Sequence, residues 1–202
     1  MKRHVRHILS VAACSLLACG CGTVSVMRPL EEKVDAREKA RFEGAWSGYG
    51  AIIFVHVPEK GLPQVATLQW SGDRFRVRQG RMSITIGQSH RFVCVSPEEG
   101  KEKGAGWLLL QYRFASDGDL VIWLPNAEAI ERAVRDANIE GEIRASKHST
   151  DVVITSPPEK LLEFLDGKAN FALFHYETPV VLRKVDIGKE LWNGNTPEQE
   201  KP

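Results

Sequence analysis

The chain has 202 residues, 43% hydrophobic and 26% charged, the size and composition of one packed domain with terminal segments, which excludes a multidomain assembly and a wholly disordered chain. Its 27 basic and 26 acidic groups give a formal charge of +1. Lys2, Arg3 and Arg6 stand in the first 18 residues with no acid beside them; taking these three from the 27 leaves 24 bases against 26 acids, so no basic surplus marks a nucleic-acid binder.

In chain order, residues 1–18 join that basic start to an apolar stretch over 8–18, followed by small residues and cysteines, the layout of a secretory signal. The apolar run falls short of the roughly 20 residues a membrane-crossing helix needs. Residues 19–43 are polar and carry Pro29, Glu31, Glu32, Lys33, Asp35, Arg37, Glu38 and Lys39. They are expected to form a spacer, with a short solvated helix from Leu30 onward where Glu32 and Asp35 precede Lys39 at helical spacings.

Residues 44–185 are expected to form the globular domain. The period changes to two after Trp46, and 51–57 form a β-branched and aromatic run closed by Pro58-Glu59-Lys60-Gly61. Ala66, Leu68 and Trp70 alternate with Thr67 and Gln69; after Ser71-Gly72-Asp73, Phe75 and Val77 alternate with Arg74, Arg76 and Arg78, which predicts a hairpin with one wet face. Gln79-Gly80-Arg81 is expected to turn the chain into Met82, Ile84 and Ile86, with another strand over 91–95. Strands over 107–114 and 120–124 flank Ser116-Asp117-Gly118-Asp119, a strong hairpin signal. Leu108, Leu110, Tyr112 and Phe114 share a core face there.

Two helices follow. Asn126 caps one that carries Ile130, Val134 and Ala137 on one side and Glu131, Arg132, Arg135 and Asp136 on the other, and ends near Gly141. Ser156-Pro157-Pro158-Glu159 opens the other with capping-box residues, Leu161, Leu162, Phe164 and Leu165 follow, and Gly167 stops it. Strands are expected over 151–155, 171–175 and 180–185, and the tail over 186–202 is polar. The fold class is therefore mainly β, an antiparallel meander or partly closed small barrel with two short helices near the C-terminal half.

A search for chemistry finds no Gly-x-Ser-x-Gly, His-Glu-x-x-His, paired Cys-x-x-Cys or phosphate-binding glycine loop. His56, His90, His148 and His175 are singletons, and Ser89 and His90 are neighbours that a strand would turn to opposite faces. No catalytic residue, metal or cofactor is expected, and the chain is not expected to be an enzyme. Arg74, Arg76, Arg78 and Arg81 form the most charged stripe. It reads as the wet, edge-protecting face of a sheet, or as a surface for anionic headgroups or an acidic partner. Tryptophans at 46, 70, 107, 123 and 192 serve an apolar or carbohydrate ligand if several line one cavity, and otherwise serve core and rim. Cys94, within Phe92-Val93-Cys94-Val95, reads as a buried thiol, and no spacing argues for a Cys21–Cys94 bridge.

Two resemblances add to this reading. Leu16-Leu17-Ala18-Cys19-Gly20-Cys21 resembles a bacterial lipobox, which implies a lipoprotein held to a membrane by acyl chains on Cys19, favoured by Leu16 three places before it, or on Cys21. Gly44-Ala45-Trp46 resembles the Gly-x-Trp motif of the lipocalins and related small barrels. That family implies a barrel whose Trp closes one end under a basic side chain from a late strand, a part that falls to Arg183. Together they imply an envelope lipoprotein, lipid-anchored at the outer membrane facing the periplasm, acting as a non-enzymatic binding or interaction module. The partners are then the membrane through the lipid and an envelope protein. The alternative is a lipocalin-like carrier that holds a small apolar ligand near Trp46, Trp70, Trp107 and Arg183.

Overall fold

The computed structural model describes residues 22–72, 74–96, 106–145, 149–167 and 170–186. The signal, Cys19, Cys21, His148, Trp192 and the tail beyond Asp186 lie outside them. In chain order the elements are β1 (Val24–Val26), α1 (Ala36–Arg41), β2 (Gly44–Gly48), β3 (Ala51–His56), β4 (Gln64–Ser71), β5 (Arg74–Ile86), β6 (Arg91–Val95), β7 (Trp107–Phe114) and β8 (Leu120–Trp123). Then come α2 (Ala127–Arg135), β9 (Gly141–Ala145), β10 (Thr150–Ile154), α3 (Pro158–Leu165), α4 (Asn170–Leu173) and β11 (Val180–Val185).

Strands β2 to β8 pair in sequence, each antiparallel to the next, and β11 bridges β8 to β2, closing an eight-stranded up-and-down barrel. The meander is thus closed, as a small barrel requires to remove its sheet edges. Tyr49 and Gly50 join β2 to β3 with φ of 52° and 72°, a two-residue turn whose twist matches the strands and which Gly adopts without strain. Outside the barrel, β1 pairs with the start of β7 and, in parallel, with β10, which carries β9 on its far edge.

Two cores share the wall made by β6, β7 and β8. Leu110, Tyr112, Phe114, Val93 and Leu120 point into the barrel and meet Trp46, Val55, Met82, Ile84 and Leu182 from the other strands. The alternate residues Phe92, Cys94, Leu109, Val121 and Trp123 point outward beneath Ile130, Ile139, Leu161, Leu165 and Phe174. The excursion between β8 and β11 is therefore a lid of helices and strands over one side of the barrel. Both faces of these strands are buried, which explains their near-continuous apolar runs.

Several expectations are corrected. The stretch expected as a spacer is folded from Val24 onward: Val24, Val26 and Leu30 are buried, because β1 completes the sheet beside β10. Only the short helix α1 matches that expectation, and its Glu38 is buried rather than solvated. β5 runs straight through Gly80 instead of turning there. At Gly80 the backbone of Ser96 comes so near that a Cβ would lie 2.4 Å from its carbonyl oxygen, and the residue marks a close approach of chains. The strand expected over 171–175 is α4 followed by a bridge from Phe174 to Pro125. Ser156 does not cap α3; its hydroxyl serves Glu140 across the turn, accepting from the Glu140 N–H at 2.7 Å. β9 was not expected.

Candidate functional site

The barrel is plugged at the end where β2 begins. Asp35 caps α1 through the Glu38 N–H at 2.7 Å, and the helix delivers Phe42 edge-on against Tyr112 and Phe114, each with ring centroids 5.0 Å away. The Trp46 indole, 1% exposed, donates to the Phe42 carbonyl at 2.8 Å. Glu38 sits above this stack with Arg41 at 3.0 Å, Arg91 at 3.3 Å and the Tyr112 hydroxyl at 3.3 Å. Burial first, and the Glu38 charge second, push the Tyr112 phenol far above its ordinary range, so it stays protonated and donates to Glu38.

A cation does stand over Trp46, as the resemblance implies, but it is Lys184, 5.3 Å from the ring. The register pairs Lys184 with Trp46 and Arg183 with Ser47. Side chains directly opposite in a ladder share a face, so Lys184 points with Trp46 while Arg183 points out, 3.7 Å from Asp119.

The tryptophans expected around a ligand are dispersed. Trp46 is inside the barrel. Trp107, paired with Val26 of β1, packs against the outer core under the helical lid. Trp70 is on the outer surface near the tip of the β4–β5 hairpin, edge-on to Phe75 at 4.5 Å. Trp123, also outside the barrel, packs on Tyr176.

Register decides the orientation of that hairpin, against expectation. Trp46 is opposite Ile53, Ile53 opposite Thr67, and Thr67 opposite Arg78. Thr67, Gln69, Arg76 and Arg78 therefore lie on the barrel-interior face, at its open mouth. Leu68, Trp70, Phe75 and Val77 lie on the outside. Among the described residues Arg74, Arg76 and Arg78 make no ion pair. Arg81, grouped with them in sequence, points to the opposite face.

The outer wall of β2 to β5 consequently carries uncovered apolar side chains: Phe75 is 61% exposed, Val77 55%, Trp70 54% and Phe54 38%. Two clefts follow this wall. One of about 360 Å³ is lined by Ser47, Ile52, Leu68, Trp70 and Phe75. The other, of about 1370 Å³, lies at the end where β2 begins and is lined from both faces, by Ala45, Phe54, Ala66 and Gln79 of an outward row and by Val55, Val65, Gly80 and Lys184 of the inward one. In the eight-strand ring β3 is four strands from β7 in either direction. The bare wall is thus diametrically opposite the strand that carries β1.

Two polar features complete the inventory. Asp166, at the end of α3, accepts the backbone N–H groups of Gln88, Ser89 and His90 and the His90 ring at 3.1 Å. Burial opposes ionisation there, but these donors outweigh it and hold the carboxyl below its ordinary range. The arrangement ties the helical lid to the β5–β6 turn. Among the described residues the His90 ring is hydrogen-bonded to the Asp166 carboxylate and to no hydroxyl or thiol. Cys94 is buried beneath the lid, and desolvation pushes its thiol up to about 11, the environment of an inert cysteine. No three His, Cys, Asp or Glu side chains converge on a metal position among the described residues.

No protein family, curated protein or solved structure matches this chain. Sequence reasoning missed the bare wall, having read the arginine side of this hairpin as its one wet face. No local signal separates the two assignments, because alternation names two faces without saying which is inside.

Proposed function

We propose that this chain is a bacterial envelope lipoprotein, a lipocalin-like small barrel that works as a non-enzymatic interaction module at a membrane surface. The observation that carries this reading is the contrast between a barrel end packed with its own side chains around Trp46 and Tyr112 and an outer wall left bare at Trp70, Phe75 and Val77. Apolar side chains clustered and exposed on one face of a folded domain mark an interaction surface. The lipobox supplies the tether. Gly22 and Thr23 are the only residues between Cys21 and Val24 of β1, so at roughly 3.5 Å per residue a lipid on Cys19 or Cys21 holds β1 within about 20 Å of the membrane. The bare wall, across the barrel from β1, then faces away from the lipid toward the periplasm.

Two measurements test this. Replacing Cys19 and Cys21 by Ser is expected to abolish palmitate labelling; persistent labelling overturns the anchor. The mature chain with both serines, exported behind a cleavable signal that adds no lipid, is expected to give a bare polypeptide mass in native mass spectrometry and an empty organic extract. A stoichiometric small molecule overturns the interaction module in favour of an apolar-ligand carrier.

A further inference from the structure

β5 is paired along its two halves to different neighbours. Residues 74–81 pair with β4, and Met82–Ile86 pair with β6. Among the described residues no strand covers the other edge of 74–80. The hydrogen bonds give the orientation of that edge. Met82 N–H reaches the Pro63 carbonyl at 2.8 Å, and Ile84 and Ile86 bond Lys33, all on the β4 side; the Arg81 carbonyl accepts from Ser96 N–H at 2.8 Å on the β6 side. Backbone groups of alternate residues point to alternate sides of an antiparallel strand. Even-numbered residues thus face β4, and the N–H and C=O groups of Phe75, Val77 and Gln79 face the open edge.

Resting on the interaction-module reading, we infer that this edge is the recognition element, and that its partner is an extended segment alternating acidic and apolar residues, added as a ninth strand beside β5. Opposed residues share a face. The partner's acidic residues would meet Arg76 and Arg78, whose guanidinium groups pair with no carboxylate among the described residues, and its apolar residues would meet Phe75 and Val77. Main-chain hydrogen bonds supply affinity and the alternate side chains specificity. A second copy of this chain is excluded at this edge, since two β5 edges would oppose arginine to arginine. A membrane surface fits less well. Arginines and aromatics occupy opposite faces of the hairpin, so a plane meets one set at a time, whereas a strand meets both.

The test uses the mature chain with Cys19→Ser and Cys21→Ser, titrated calorimetrically with a nine-residue peptide alternating Val and Glu, and with its Val and Lys counterpart. The Glu peptide is expected to bind and the Lys peptide to bind at least about tenfold more weakly, a difference of about 1.4 kcal/mol. Val77→Pro removes an N–H that points only to the open edge, a position where a strand tolerates proline. It is expected to weaken the Glu peptide about tenfold or more, while Val77→Thr keeps the affinity to within about threefold. Arg76→Glu with Arg78→Glu is expected to reverse the peptide preference, a gain of binding that an unfolded variant does not give. Equal binding of both peptides, or no binding of the Glu peptide, overturns the inference, as does capture by phosphatidylglycerol vesicles in place of the peptide. With a bare mass in the preceding experiment such a failure removes only strand addition; a bound small molecule there removes both readings.

Discussion

The barrel has two walls built from the same kind of strand and used in opposite ways. On β6, β7 and β8 the outward residues Phe92, Cys94, Leu109 and Trp123 are covered by the lid inserted between β8 and β11. On β3, β4 and β5 the outward residues Phe54, Trp70, Phe75 and Val77 are exposed. The difference is not in the composition of the strands but in the chain that follows them. The insertion follows β8, and its strand β10 reaches the N-terminal β1, so the side of the barrel next to β7 is covered and the opposite side is not. An apolar outward face therefore means core in one place and surface in the other.

Substitutions on the two walls sharpen that contrast. Phe92→Ala, under the lid, is expected to cost about 3–5 kcal/mol in denaturant unfolding, the range for emptying a buried aromatic site; a cost under about 1 kcal/mol would mean the lid does not pack on the barrel. Next in size is the latch that holds the lid. Asp166→Asn is expected to cost about 2 kcal/mol at neutral pH, from the loss of hydrogen bonds to a charged acceptor. Because the folded carboxyl is held below its unfolded value of about 4, this stabilisation is present above that pH and disappears as pH falls through the folded value. The gap between the two proteins should close below about pH 4. A gap independent of pH would deny the carboxylate its part.

Smaller effects separate the two cations of β11. Lys184→Ala is expected to lose about 0.5–1 kcal/mol, the contribution of an exposed cation over an indole, and to shift the Trp46 fluorescence. Arg183→Ala should do neither, and equal effects would contradict the register. Smallest of all, Phe75→Ser on the bare wall is expected to change stability by no more than about 0.5 kcal/mol. A loss comparable to that at Phe92 would show that the wall is covered in solution.

Much of the fold was legible because its signals are local. Hairpins announced by Asp117-Gly118 and by alternation around Leu110 and Tyr112, the Asn126 cap and the leucines of α3 each depend on residues within a few positions of one another. β1 was not legible, being three residues whose burial comes only from β7 and β10, far along the chain. Nor was α4, where the apolar run from Phe171 carries no period long enough to tell helix from strand.

The candidate surface divides in the same way. The sequence by itself determined that Phe75 and Val77 lie on one face of a strand and Arg76 and Arg78 on the other, since side chains alternate at every step of an extended backbone. The small-barrel resemblance implied a cation of the last strand beside Trp46 and gave that part to Arg183, the wrong one of two neighbours. Tertiary structure alone decided that Lys184 takes that place, that the arginines face the barrel mouth and the aromatics the outside, and that no strand covers the edge of β5 among the described residues. Each of these follows from register and from what packs on each wall, and a shift of one residue in pairing would invert them all.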